Sequence, residues 1–273
     1  MTLNCNGQLI KINTPIVMGI LNMTPDSFYD GGKLSTSDVV LQQAEKMLKD
    51  GATFLDVGGY STRPNAKNIS VDEELKRVIP VIELLSKQFP KALISIDTFR
   101  SKVAKEAFYS GACMVNDVSG GQMDELMFST VAELKVPYVL MHMRGTPQTM
   151  MSNCVYDDLV RDIILYFSER CAAAHAAGII DVIVDPGFGF SKSTPQNFEL
   201  LDKLELLHHL DKPILVGLSR KSMIYKTLDS TADEALAGTI CLNTIALNKG
   251  VQILRVHDVK EATESIELLK QLK

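Results

Sequence analysis

The chain has no cysteine framework. Its five cysteines, Cys5, Cys113, Cys154, Cys171 and Cys241, are odd in number and scattered, and no CxxC or zinc-ligand spacing occurs. That argues against a disulfide scaffold and a cysteine-bound metal, and predicts reduced thiols in a cytoplasmic protein. No apolar run approaches the ~20 residues of a membrane helix. Residues 1–13 contain no apolar leader core and no cleavage signal, so no membrane partner is expected. An excess of positive charge is missing as well. The net charge of −5 argues against a protein that tracks nucleic-acid phosphates. Any anion site must be a local cluster. Tryptophan is absent, which excludes nothing.

What is present is an alternation of strand-like and helix-like stretches from end to end. Strands are predicted at 16–21, 54–57, 93–96, 112–115, 137–141, 181–184, 213–218 and 251–256. Their Val/Ile/Leu content suits buried parallel strands. Helices are predicted at 36–50, 71–88, 101–110, 123–134, 156–177, 194–209, 231–249 and 259–272. Leu75, Val78, Ile79, Ile82 and Leu85 give one of them an apolar stripe of period 3.6. Eight such units in 273 residues predict a single (β/α)8 barrel domain, 1–273, with a short β segment before it that closes the barrel bottom. A doubly wound open sheet is the competing architecture.

Most of these strands end in polar residues, as barrel active sites are built. Asn22 opens a loop dense in oxygen donors, Asn22-Met-Thr-Pro-Asp-Ser-Phe-Tyr-Asp-Gly-Gly32. Its amide oxygen suits Mg²⁺, a hard ion; a capped turn explains the same residues equally well. Asp56-Val-Gly-Gly-Tyr-Ser-Thr-Arg-Pro64 follows the second strand, and Arg63 there is either an anion clamp or an ordinary surface arginine. Asp97, Asn116 and Asp185 each follow apolar strand residues. They are helix N-caps, or they converge at the barrel mouth on the N–H edge of a heteroaromatic ring.

Other clusters point the same way. Phe188 and Phe190 can wall a flat ligand, or be core. His142 is more easily a core histidine than a catalytic one, and Met143 can flank an aromatic ligand. Ser219-Arg220-Lys221-Ser222 opens a helix whose first N–H groups favour anions. Arg255 and His257 alternate onto one side of the last strand. Barrels often bind phosphate after strands seven and eight.

Together these segments resemble the dihydropteroate synthases, the folate-pathway enzymes inhibited by sulfonamides. The resemblance runs in order through Met18-Gly-Ile-Leu-Asn-Met-Thr-Pro-Asp-Ser-Phe28 with Asp30-Gly-Gly32, Asp56-Val-Gly-Gly59 with Ser61-Thr-Arg-Pro64, Ser95-Ile-Asp-Thr98, Asn116-Asp-Val-Ser-Gly120, Met141-His-Met-Arg-Gly-Thr-Pro147, Asp185-Pro-Gly-Phe-Gly-Phe190, Gly217-Leu-Ser-Arg-Lys-Ser222 and Arg255-Val-His-Asp258. It implies a usually dimeric (β/α)8 barrel that joins para-aminobenzoate to dihydropterin pyrophosphate. Asp97, Asn116, Asp185 and Lys221 would hold the pterin, with Met143 and Gly217 in the same pocket. Asn22, through Mg²⁺, and Arg255 and His257 would bind the pyrophosphate. Phe28, Asp30, Thr62, Arg63 and Pro64 would come from two mobile loops, and Phe190, Lys221 and Ser222 would complete the aminobenzoate site. The resemblance assigns the chemistry to Asn22, Asp30, Arg63, Lys221, Arg255 and His257.

The chain departs from the family at Tyr60, Asn65 and Ser191, where Glu or Gln, Gly and Gly are common. Two rivals are a methyltetrahydrofolate-binding methyltransferase domain and a non-catalytic pterin-binding homologue. The first has no use for a pyrophosphate site, and the second would lack the loop residues.

Overall fold

The computed structural model describes residues 1–23, 36–62 and 68–272. Strands β1 (Thr2–Cys5) and β2 (Gln8–Lys11) pair as an antiparallel hairpin. Strand and helix then alternate: β3 (Ile16–Asn22), α1 (Thr36–Lys49), β4 (Phe54–Gly58), α2 (Val71–Gln88), β5 (Leu93–Asp97), α3 (Ser101–Tyr109), β6 (Met114–Asp117), α4 (Met127–Leu134), β7 (Tyr138–Met141), α5 (Leu159–Ala176), β8 (Val182–Asp185), α6 (Thr194–Asp202), β9 (Leu215–Val216), α7 (Ser222–Tyr225), α8 (Leu236–Asn248), β10 (Ile253–Val256) and α9 (Val259–Lys270). Strands β3 to β10 form one parallel sheet in the order β8-β7-β6-β5-β4-β3-β10-β9. A parallel bridge between Val184 and Ile214 brings the two ends together. The sheet is therefore a nearly closed eight-stranded barrel ringed by helices, as the sequence predicts.

Alternate strand residues face inward. Met18, Phe54, Met114, Val139, Ile183, Leu215 and Ile253 make an apolar floor, completed by Leu3, Cys5 and Ile12 from the N-terminal segment. The Asn4 N–H donates to Asp181 Oδ2 at 2.7 Å and pins the hairpin beneath the barrel. The residues of opposite parity, among them Val17, Leu55, Val115, Leu140, Val184 and Leu254, pack outward with helix residues such as Ala44, Ile82, Val131 and Ile163. Each fully buried side chain of this kind contributes roughly 1.5–3 kcal/mol. One inward step above the floor the character changes. The positions there are Ile20, Asp56, Ser95, Asn116, Met141, Asp185, Gly217 and Arg255, and four of the eight can carry a charge or an amide. The period-two pleat that builds the floor thus also lifts the polar residues toward the mouth.

Several boundaries differ from the sequence expectation. Asn22, Asp97, Asn116, Asp117 and Asp185 lie within strands rather than after them. The seventh strand keeps only Leu215–Val216; Pro213 has no N–H to give to a ladder. The helix expected from 123 begins at Met127, because Asp124 accepts the Ser101 and Leu126 N–H groups at 2.7 and 3.0 Å. The one expected from 156 begins at Leu159, where Asp158 caps it. That at 194–209 gives way after Asp202 to a 3₁₀ segment, Leu204–Leu210. The one expected from 231 begins at Leu236.

Candidate active site

The floor of the site is an ion network. Arg255 Nε donates to Asp56 Oδ2 at 2.7 Å, and its Nη2 donates to Asp97 Oδ2 at 2.6 Å. Asn116 Nδ2 donates to the same Asp56 oxygen at 2.9 Å. Asp56 is fully buried, and its other oxygen, Oδ1, has no hydrogen-bond partner. Gly58 leaves room for the Asp97 carboxylate: a Cβ at Gly58 would stand 3.3 Å from that of Asp97. Burial pushes Asp97 up to about 7; Arg255 opposes the rise and Asp56 adds to it. Arg255 itself is held above its ordinary range by Asp56 and Asp97 against the cost of burial.

A second group lies across the mouth. Asp185 is buried, its Oδ1 accepts the Gly187 N–H at 2.8 Å, and burial raises its carboxyl while Lys221 opposes. Lys221 Nζ donates to the Phe188 carbonyl and stands 4.9 Å from the centroid of the Phe190 ring. Burial lowers Lys221 to about 8, with Asp185 pulling the other way. Gly217 lies between the two cations: a Cβ there would meet Lys221 Nζ at 3.7 Å and Arg255 Cβ at 4.0 Å. Met143 is buried with Phe99, Val118, Met141 and Met150, and Phe190 packs on this apolar cluster. Phe188 is core. Asp97, Asn116 and Asp185 are not N-caps; Arg100, Leu126 and Ser193 stand at those positions of α3, α4 and α6.

The rim holds Asn22 at the end of β3, half-buried Ser222 and Thr62, and exposed His257. Ser219 Oγ lies 3.2 Å from His257 Nδ1 and orients the ring. Arg220 is structural: it forks onto Asp258 at 2.9 and 2.8 Å. Helix α7 has four residues, so the expected helix-terminal anion site is only one turn deep. His142 is buried on the helix side of β7, edge-on to Tyr166 with ring centroids 4.8 Å apart. Phe28, Asp30, Arg63 and Pro64 lie outside the described residues. Among the described residues no three His, Cys, Asp or Glu side chains are grouped to hold a metal ion. Asn22, a single neutral oxygen donor, fits Mg²⁺ that arrives on phosphate oxygens rather than a resident ion.

Sequence reasoning missed two features. Glu74, one of three acids in a helix first turn, is fully buried, accepting from Thr98 Oγ1 and Arg100 Nη1 at 2.7 Å each. The one signal is its place four residues before Val78, on the stripe of Val78, Ile82 and Leu85 that α2 buries; Asp72 and Glu73 lie off it. Lys192 is likewise buried, although it follows a glycine-rich loop.

The departure at Ser191 has a physical reading. Its φ is +46°, in the left-handed region that costs a non-glycine residue about 1–2 kcal/mol. Its Oγ accepts the Arg144 N–H at 3.0 Å, and its carbonyl accepts from Tyr156 Oη at 2.9 Å. Ser191→Ala keeps the strain and orphans the Arg144 N–H, so denaturant unfolding should show a loss of about 1–3 kcal/mol. Ser191→Gly should lose less, because it relieves the strain. Equal losses would rule out this account of the backbone.

A barrel whose mouth gathers three acids, an amide and two cations is the frame of an enzyme that grips a polar ring and an anion together. Residues 18–257 match the family described as pterin binding enzyme. The dihydropteroate synthase of Escherichia coli K12 is 42% identical over 272 residues, covering 99% of this chain and 96% of that protein. A Yersinia pestis dihydropteroate synthase, solved with a sulfonamide drug complex, superposes with a TM-score of 0.93 at 42% identity, covering 100% of this chain and 99% of that one. The Xanthomonas albilineans enzyme in complex with 7,8-dihydropteroate gives 0.90 at 37% identity, covering 100% and 98%. The chain belongs to the pterin-binding enzymes and, among them, to the dihydropteroate synthase family of transferases.

Proposed function

We propose that this protein condenses 6-hydroxymethyl-7,8-dihydropterin diphosphate with para-aminobenzoate, giving 7,8-dihydropteroate and pyrophosphate, and that sulfonamides compete at its aminobenzoate site. The observation that carries this is the convergence of Asp97, Asn116, Asp185 and Lys221 around Arg255 at one barrel mouth. Carboxylates and an amide oxygen accept from the N–H edge of the pterin, and Met143 and Phe190 flank its face. Arg255 has five N–H donors and commits two to Asp56 and Asp97, which leaves donors for the diphosphate. His257, oriented by Ser219, adds a second donor at the rim.

The reaction is dissociative. The C–O bond breaks first and its electron pair leaves with pyrophosphate, whose charge Arg255 and His257 offset. Asn22 would hold Mg²⁺, which supplies further charge neutralisation to the leaving group when bound. The methylene cation is delocalised into the pterin ring and faced by Asp97 and Asp185. The aryl amine, neutral at pH 7, forms the C–N bond and gives its proton to water. Phe190, Ser222 and Thr62, with Phe28, Asp30, Arg63 and Pro64, place the amine and exclude water. A homodimer suits helix α8, which carries no charged side chain and exposes Ala237, Cys241 and Ile245 along one stripe. No described helix is long and apolar enough to cross a membrane, and the cytoplasm suits five unpaired cysteines.

Pyrophosphate release on mixing the two substrates, with and without Mg²⁺, tests the proposal; a methyltransferase domain or a silent homologue would release none. The pH profile adds a finer expectation. Asp97 must be ionised to accept from the pterin, and Lys221 must be charged to support Asp185. The kcat/KM for the pterin should therefore rise through about 7 and fall above about 8. Asp97→Asn should remove the acid limb. An acid limb that persisted in that variant would belong to another group.

A further inference from the structure

We infer that Lys192 is a positioning residue of the pterin site: its buried side chain, seated between His142 and the carbonyls of Gly187 and Phe190, fixes the turn that sets Asp185 against Lys221. The inference rests on the pterin reading of the site above. Lys192 is 2% exposed. Its Nζ lies 3.0 Å from His142 Nδ1, 3.1 Å from the Gly187 carbonyl and 3.0 Å from the Phe190 carbonyl. Three acceptors thus meet the three donors of one ammonium. Among the described residues no carboxylate forms an ion pair with it. A lysine serving only to fill the core is hard to rationalise there, since Met fills similar volume with no charge to desolvate. Burial does lower Lys192 to about 7, although Asp185 opposes, and burial together with the Lys192 charge drives His142 well below its ordinary range. The imidazole is therefore neutral and able to accept through Nδ1.

The turn that Lys192 holds is the one the site depends on. Its polar atoms are taken one by one: the Gly187 N–H by Asp185 at 2.8 Å, the Gly189 N–H by Asn197 at 2.7 Å, and the Phe188 carbonyl by Lys221. The Gly187 and Phe190 carbonyls are those that Lys192 binds. Two lysines therefore hold one stretch of backbone, Lys221 from the mouth and Lys192 from the side of His142. Gly187, Gly189 and Ser191 all have positive φ, at 69°, 81° and 46°. One backbone hydrogen bond closes this turn, from the Phe190 N–H to the Gly187 carbonyl at 3.1 Å; the rest of its shape comes from these clamps. Without Lys192 the two carbonyls lose their shared donor. Asp185, the Phe188 carbonyl and the Phe190 ring then lose their fixed spacing to Lys221.

The test compares Lys192→Met, His142→Asn and His142→Phe with the parent. Melting temperature is measured first, then dihydropterin diphosphate affinity by titration calorimetry, then kcat and both KM values. Lys192→Met should weaken pterin binding by about tenfold or more, with a smaller change in the KM for aminobenzoate. His142→Phe should shift pterin affinity in the same direction. His142→Asn, whose Oδ1 replaces Nδ1 as the acceptor, should bind like the parent. A folded Lys192→Met with parental pterin affinity overturns the inference, whatever its melting temperature. If Lys192→Met does not fold, the two His142 variants decide, and equal pterin affinity in both overturns it. A parent that binds no dihydropterin diphosphate overturns the pterin reading itself, whereas a parent that binds while the variants match it overturns the role of Lys192 alone.

Discussion

Arg255→Ala should unfold at a markedly lower denaturant concentration than the parent, with a stability loss of about 3–5 kcal/mol at pH 8. The guanidinium answers Asp56 and Asp97 at 2.7 and 2.6 Å, and Asp56 already keeps one oxygen without a partner. Removing the cation leaves two carboxylates inside the barrel with Asn116 as the donor that remains to Asp56. The loss depends on pH, with a definite sign. Burial raises Asp97 above its unfolded value, so the folded state binds the extra proton between about 4 and 7. Taking away Arg255 raises it further. The share of the deficit that belongs to Asp97 should therefore be small near pH 5 and grow as pH climbs through 7. Arg255→Ala/Asp97→Asn should recover part of it. Pyrophosphate release should fall in the single variant at every pH. A variant as stable as the parent at pH 8 would mean that water, not Arg255, satisfies the two acids.

Asp185→Asn should lower dihydropterin affinity by ten- to a hundredfold, about 1–3 kcal/mol, and leave aminobenzoate affinity nearly unchanged. The amide retains an oxygen for the Gly187 N–H, so the turn survives. It also places an NH₂ where the carboxylate had an acceptor, and that group would face pterin donors. Lys221 loses the acid that opposes its downward shift, so its charge should fail at lower pH than in the parent. Calorimetric titration of the pterin is the direct measurement. Parental affinity would reduce Asp185 to a turn residue that binds Gly187 and nothing more.

The barrel is legible in the sequence because its signals repeat. Eight apolar runs of strand length, most of them ending in polar side chains, suit a closed α/β barrel better than an open sheet. The strand-end acids are legible as a set for the same reason, though any one of them alone reads more readily as a cap. Sequence reasoning misplaces them by a residue or two. Asp97 and Asp185 are strand residues, and a propensity rule ends a strand where the side chains turn polar. What stays hidden depends on tertiary partners. Nothing local marks Arg255 as the counterion of Asp56, 199 residues away. Nothing local distinguishes Lys192 from a solvated lysine, because its burial is decided by His142 fifty positions earlier. Ser191 stands out in the sequence as a departure, but its left-handed backbone accounts for it only in three dimensions.

The barrel is not equally strong all the way round. Between β8 and β9 it is joined at the bridge of Val184 to Ile214, and β9 itself is two residues long. Asp185 stands at the tip of one side of this joint, and Lys221 follows the other. A pterin gripped by both would act as a suture across the weakest stave of the cask. Backbone amides of 182–184 and 214–216 should then exchange with deuterium more slowly in the loaded protein than in the empty one. Recognition and mechanical integrity would in that sense be the same contact, and a ligand that engaged only the aminobenzoate side would leave the joint as loose as before.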